Sequence, residues 1–309
     1  MRSISTKKES TSPLGPIGAL IGVQAFFGSL PVLGKVVLAV LPAVALVGFR
    51  VGITALVLLA IQLLRRRVWL RHRSDYSKLA VLSLFGVVFN QLLSVGGLSL
   101  TKAANASLLS VTIPIFALVV SSVVGKERLR VATVSGVALA AAGVILLLNP
   151  FGGSFSSETT LGDAMIIVNS LSYGIYVATS KEVITRNGAF RSMMWVFVFA
   201  GIICVPLGMI SLSSADTSNI PRNIWLLVIY ISIGATAAPY LLNAWALARV
   251  SPSTVAVFVY LQPLIGFVLA VIFLNEIIDF RFIIAASLVF AGVFLTTRKA
   301  SSTDVHVTA

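Results

Sequence analysis

The chain is built of long apolar runs separated by short polar or basic segments. A helix needs about 20 mainly apolar residues to cross a bilayer. On that criterion ten spans are predicted, at 17–38, 42–64, 77–99, 105–124, 131–148, 163–185, 190–212, 223–245, 254–273 and 280–297. The runs are continuous rather than alternating, and much longer than the roughly 10 residues of a barrel strand, which argues against a membrane barrel. Pro31, Lys35 and Pro42 interrupt the first two spans, and Lys181-Glu182 lie near the end of the sixth.

The pattern repeats at a spacing of 149 residues. Pro114 in the run 108–124, followed by Glu127, is echoed by Pro263 in the run 255–273, followed by Glu276. Ala142-Gly143-Val144 falls on Ala291-Gly292-Val293, and Leu92, Leu93 and Leu98 fall on Leu241, Leu242 and Leu247. Each copy holds five spans. Five is odd, so the copies are expected to insert in opposite directions, as in many transporters.

Charge supports that topology. With the N-terminus inside, 18 of the 23 Lys and Arg fall in inside segments, four fall outside, and Arg50 lies within a span. Cytoplasmic loops carry such an excess, so both termini are expected in the cytosol. The basic positions Lys126, Arg128 and Arg130 become Asn275, Ile277 and Asp279 in the second copy. The helical pattern is kept while the topogenic charge is removed, which is what an inverted repeat requires.

Composition narrows the class. Hydrophobic residues make up 58% and charged residues 11%, against about 25% charged in soluble domains. The net charge of +13 sits in short loops and forms no basic domain, so nucleic acid is not an expected partner. The single cysteine, Cys204, has no intramolecular partner. Residues 1–13 are polar and are read as a tail without a cleavable signal.

Candidate chemistry is sparse. Arg50 is eight residues past Pro42, about 12 Å into the bilayer at 1.5 Å per residue. An arginine there is costly and should face a polar cavity or a partner. It is read either as a counter-charge for an anionic group or as a structural link to a neighbouring span. No Asp or Glu is expected deep in any span. Asp163 is placed in the first turn of span 6, and both histidines, His72 and His306, lie outside the spans. Facilitated transport is therefore expected rather than coupling through an ordinary titrating group. Polar residues within the spans are Gln24, Asn90, Gln91, Thr112, Asn169, Tyr173, Tyr176, Asn243, Trp245, Tyr260 and Gln262. Uncompensated amides in hydrocarbon are unfavourable, so this set should supply the cavity lining. Each is also explicable as helix-to-helix bonding. Pro114 and Pro263 are expected to kink spans 4 and 9, and Glu127 and Glu276 are read as helix-end caps or gate contacts. Gly143 and Gly292 suggest close packing of spans 5 and 10. No phosphate loop, zinc spacing or nucleophile elbow is found, so neither an enzyme nor a metal or cofactor site is expected.

Two stretches carry a family resemblance. LSLTKAANASLLSVTIPIFALVVSSVVGKERL, ending at Leu129, and ALARVSPSTVAVFVYLQPLIGFVLAVIFLNE, at 246–276, each show a small-residue loop, an apolar span with Pro and a closing Glu. With Arg50 in GFRVGI, they resemble the EamA family of the drug/metabolite transporter superfamily. The resemblance covers about residues 15–298. It implies an all-α polytopic membrane protein, ten helices in two inverted five-helix repeats, and a central cavity with alternating access.

The implied organisation is a cytosolic tail (1–14), a first repeat (15–148), an external linker (149–160), a second repeat (161–298) and a cytosolic tail (299–309). The implied function is inner-membrane export of amino acids or related zwitterions. Alternatives are efflux of hydrophobic drugs and a non-transporting scaffold or sensor. Phosphorylated substrates fit less well, because Arg50 stands alone where relatives that take them use basic clusters. Expected partners are a small metabolite and the bilayer, with the chain a monomer or weak homodimer and no nucleic acid bound.

Overall fold

The computed structural model describes residues 14–110, 112–124, 131–148, 157–215, 220–247 and 261–297. Among them the chain is helical and forms no strand. The helices are α1 (Leu14–Leu38), α2 (Ala43–Leu64), α3 (Ser74–Ser83), α4 (Phe89–Leu100), α5 (Ala103–Ser110), α6 (Ile113–Val123), α7 (Val131–Leu148), α8 (Ser157–Asn187), α9 (Ala189–Ser213), α10 (Arg222–Ser232), α11 (Ala238–Leu247), α12 (Leu261–Leu274) and α13 (Phe280–Thr297). Seven segments are long and apolar enough to cross a membrane: Gly15–Leu38, Ala43–Leu64, Ser74–Leu100, Ala103–Val123, Glu158–Ser180, Ala189–Ser213 and Arg222–Leu242. Shorter apolar stretches lie at Val134–Gly143, Leu264–Leu274 and Phe280–Gly292. Two of these lie in α7 and α13, within the predicted spans 131–148 and 280–297, and the residues on either side of α7 and after α13 lie outside the described part. Of predicted span 9, residues 254–260 lie outside the described part.

The outer faces explain the composition. Leu56, Ile202 and Phe273 are each 67% exposed, on three different helices. Large apolar side chains so widely displayed suit a lipid solvent and not water. Inside, one apolar cluster gathers Leu46, Leu58, Met194, Phe197 and Ile231, and a second gathers Leu108, Leu109, Ile166 and Ala285.

Several predicted features are revised. Pro31 does not interrupt α1, which runs through it. Asp163 is not in a first turn: α8 begins at Ser157, and the Asp163 side chain is 2% exposed. Pro114 does not kink a continuous helix. The chain breaks after Ser110, and Pro114 opens the first turn of α6. A first turn tolerates proline because its N–H groups have no intrahelical partner there. Pro263 is the third described residue of α12, and residues 248–260 before it lie outside the described part.

Two further mid-span irregularities are found among the described residues. α3 runs into α4 through a π-helical turn at Leu84–Val88, and α10 runs into α11 through another at Ile233–Ala237. The two turns lie 149 residues apart, the spacing of the sequence echo. Packing uses small residues. α2 runs along α9, and α7 runs along α13. A Cβ added to Gly48 would lie 2.8 Å from Gly208 Cα, and one added to Gly143 would lie 2.7 Å from the Ala285 carbonyl. Without a strong hydrophobic drive between helices in lipid, such close approach supplies the contact.

Both ends of the bundle are tied. At the end carrying residues 65–73, Asp75 is fully buried and is bonded by Arg186 and, at 2.7 Å, by Asn187 Nδ2. Bonding to Asp75 raises the Arg186 guanidinium above its usual range. Arg71 N donates to Asn187 Oδ1, Arg191 Nη1 to the Trp69 carbonyl, and Trp195 Nε1 to the Val68 carbonyl, all at 2.9 Å. The tight turn from α8 to α9 is made by Gly188, whose φ of 84° favours glycine. At the opposite end, Ala103 N and Ala104 N donate to the Glu276 carboxylate at 2.8 and 3.0 Å. Asp163 accepts from Thr101 Oγ1 and from Asn105 Nδ2, and Lys35 Nζ reaches the Ser99 carbonyl at 3.4 Å.

Candidate functional site

A cavity of about 180 Å³ lies between α1, α2, α4, α5, α6, α8, α10, α11 and α12. Its polar wall is Arg50, Asn90, Gln91, Ser94, Ser110, Asn169, Tyr173, Tyr240 and Gln262. Apolar residues, including Phe27, Leu46, Ile113, Ile166 and Ile231, complete it. Arg50 is the one charged residue among the described residues of this lining.

Arg50 is 5% exposed. Its Nε donates to Thr236 Oγ1 at 2.7 Å, and Thr236 Oγ1 donates onward to the Ile231 carbonyl at 2.8 Å. One turn along α2, Thr54 Oγ1 donates to the Ser232 carbonyl at 3.0 Å. Both partners of α2 belong to the π-helical turn or its first flank. The wider turn breaks the i→i−4 ladder, so its groups face a neighbouring helix, a common use of π-bulges. The Tyr240 phenol lies near Arg50 and the Tyr173 phenol in the same cavity wall. Asn90 Nδ2 donates to Asn169 Oδ1 at 2.7 Å, joining α4 to α8. Gln91 Oε1 is buried and has no hydrogen-bond partner among the described residues.

Six of the predicted residues thus meet in one cavity: Arg50, Asn90, Gln91, Asn169, Tyr173 and Gln262. Gln24 is buried but is absent from this lining. Thr112 bonds back to the Leu109 carbonyl at 2.6 Å, at the α5–α6 break. Tyr176 stacks on Tyr173 with ring centroids 5.5 Å apart, and packs on Gly86 in the first π-helical turn. Asn243 and Trp245 belong to α11, but their side chains lie outside the description, as do Tyr260 and Glu127 entirely. Glu276 serves a helix end, that of α5.

Sequence reasoning missed Thr236, Tyr240, Ser94 and Ser110. A signal existed for one of them, since Tyr240 stands 149 residues after Gln91. Among the described residues no group of three His, Cys, Asp or Glu is placed to hold a metal ion.

A larger crevice of about 460 Å³ opens beside the 65–73 end, lined by Gly15, Ala19, Ile61, Phe190, Leu241, Leu242 and Arg65. Arg65 is stacked 5.3 Å from the Phe190 ring centroid. With one polar side chain in its described lining, this crevice lacks the converging donors and acceptors of a selective site.

Apolar helices of membrane length around a small polar cavity with one buried cation define a polytopic helical membrane protein with a solute-sized chamber. The sequence profile of the EamA-like transporter family matches residues 14–149 and again 160–298, and the chain belongs to that family. It is 31% identical over 229 residues to an uncharacterized transporter of Archaeoglobus fulgidus, covering 73% of this chain and 78% of that one. It is 24% identical to the uncharacterized transporter YetK of Bacillus subtilis, over 96% of this chain and 91% of the relative. A probable terminal-alkyne amino-acid exporter of Streptantibioticus cattleyicolor is 23% identical over 73% of this chain and 74% of its own length. A crystal structure 22% identical in sequence superposes with a TM-score of 0.60, over 93% of this chain and 99% of that chain, and so shares the fold.

Proposed function

We propose that this protein is a cell-membrane carrier that exports amino acids or related small zwitterions by alternating access. The observation that carries this reading is Arg50, a guanidinium nine-tenths buried in a cavity otherwise lined by amides, phenols, hydroxyls and apolar groups. Such a cation suits a carboxylate, and the amides and phenols suit the remaining polar groups of a zwitterion. The volume favours a small solute. At about 180 Å³ the cavity is below the roughly 300–1,000 Å³ of drug-sized sites, which weighs against multidrug efflux. The name of the Streptantibioticus relative points the same way.

For the machine we favour ten spans in two inverted five-helix repeats, 15–148 and 161–298, with both termini and the 65–73 loop cytoplasmic. The spacing of the π-helical turns supports it. So does the packing between helices. Gly143 meets Ala285 while Gly292 meets Gly136, and those two contacts exchange under the 149-residue offset.

The test is counterflow of labelled amino acids in proteoliposomes. Arg50→Leu is expected to lower uptake at least tenfold, and Arg50→Lys to restore part of it. Normal uptake and affinity in Arg50→Leu would overturn the counter-charge role. Cysteines at 127 and 276 should react with an impermeant thiol reagent from opposite sides of the membrane. Labelling from one side would refute the inverted repeat.

A further inference from the structure

Taking the cavity as an amino-acid site, as proposed above, we infer that Gln91 recognises the substrate's ammonium group and makes the cavity select amino acids over the matching 2-oxo acids. The side chain is 3% exposed and lines the cavity from α4. Its Oε1 is a buried acceptor without a donor among the described residues. A buried acceptor left unpaired is unfavourable, and a ligand that brings a donor removes the penalty.

Among the other cavity amides, Asn169 Oδ1 accepts from Asn90, and Gln91 Oε1 is the buried acceptor of the described lining that lacks a donor. Gln24 Oε1 is also unpartnered, but it lies outside the cavity lining. The described lining holds no carboxylate that would compete for an ammonium. The cavity therefore offers a cationic donor at Arg50 and a buried, unpaired neutral acceptor at Gln91, the complement of a carboxylate and an ammonium. A 2-oxo acid keeps the carboxylate but places a carbonyl oxygen where the ammonium would be. Two acceptors then face each other, and Gln91 stays unpaired.

A site built to bond a substrate N–H discriminates strongly against the analogue that lacks it, because its own group is then stranded. The neutral acceptor also separates this arrangement from a carboxylate site. It accepts from an ammonium without requiring a net positive ligand.

The experiment is counterflow of labelled L-leucine in proteoliposomes of the full chain, competed by unlabelled L-leucine and by 4-methyl-2-oxopentanoate. In the wild type the oxo acid should compete at least tenfold more weakly than leucine. Gln91→Met keeps the volume and removes the acceptor. Its half-inhibitory concentration for leucine should rise about tenfold to a hundredfold, while that for the oxo acid does not rise, so the ratio collapses toward one. Gln91→Glu restores an acceptor and should keep the preference for leucine. If Gln91→Met elutes as aggregate, Gln91→Leu replaces it. An unchanged ratio in the acceptor-less protein, or a ratio lost equally in Gln91→Glu, overturns the role given to Gln91. A wild type that moves L-leucine but behaves in these ways leaves the carrier reading standing. A wild type that carries none of a panel of amino acids overturns both.

Discussion

Arg50 and its acceptor define the site at the level of single residues. The guanidinium is tied to Thr236 on the opposite half of the chain. By the 149-residue offset, the equivalent pair in the other half is Phe199 and Val87, both apolar. The cation and its tether therefore exist once, and the charge of the cavity comes from one half of the chain. Thr236→Val removes the acceptor at nearly constant volume. A hydrogen bond to a charged group contributes about 1.5–3 kcal/mol, and losing it strands Nε. The variant is expected to unfold at a clearly lower temperature in detergent, whereas Ser213→Ala, at an exposed helix end, should not. Equal melting of the two would show that the Arg50–Thr236 bond contributes nothing. Arg50 was legible in the sequence because one cation in an apolar run admits few explanations. Thr236 was not, because threonine is unremarkable in a membrane helix until the π-helical turn directs it at α2.

Element lengths and spacing were the most legible part of the chain. Apolar run length fixed α2 and α9 to within a residue or two, since the bilayer sets that length. The breaks were less legible. Pro114 marks the start of α6 and not a bend within a helix, because the chain ends α5 before the proline ring would clash. The π-helical turns have no sequence signature beyond the offset between them. Small residues at helix contacts were partly legible, and they give a contrast that can be measured. A Cβ on Gly292 would strike the Gly136 carbonyl and lie 2.6 Å from Ala140 N, whereas one on Gly18 meets nothing within 4 Å. Overpacking typically costs 1–3 kcal/mol. Gly292→Val should therefore lower the yield of monodisperse protein and its melting temperature, and Gly18→Val should leave both near wild type. A Gly292→Val protein as monodisperse and as stable as wild type would mean that the α7–α13 contact tolerates a β-branched side chain.

Across the whole molecule, the cavity is held between two tied ends, and the bonds at each end are unequal. At the 101–102 end the ties are carboxylates on backbone N–H groups and on neutral side chains, from Glu276 and Asp163. At the 65–73 end they centre on an ion pair, with buried Asp75 bonded to Arg186 and Asn187. Sequence could not pair Asp75 with Arg186, since 111 residues separate them and only the folded bundle brings α3 against the end of α8. Removing the partly exposed Arg186 leaves the buried Asp75 carboxylate without its counter-charge, which is destabilising. Arg186→Ala alone should thus loosen this end more than the double variant Arg186→Ala with Asp75→Asn. The readout is a cysteine at Ser94, in the cavity wall, with Cys204→Ser as background and an impermeant maleimide applied from the face bearing the 65–73 loop. Labelling should be slow in the background protein, fastest in Arg186→Ala and intermediate in the double variant. Equal rates in all three would mean that the Asp75–Arg186 pair does not hold this end shut, and that closure rests on the Asn187, Arg191 and Trp195 bonds to the loop.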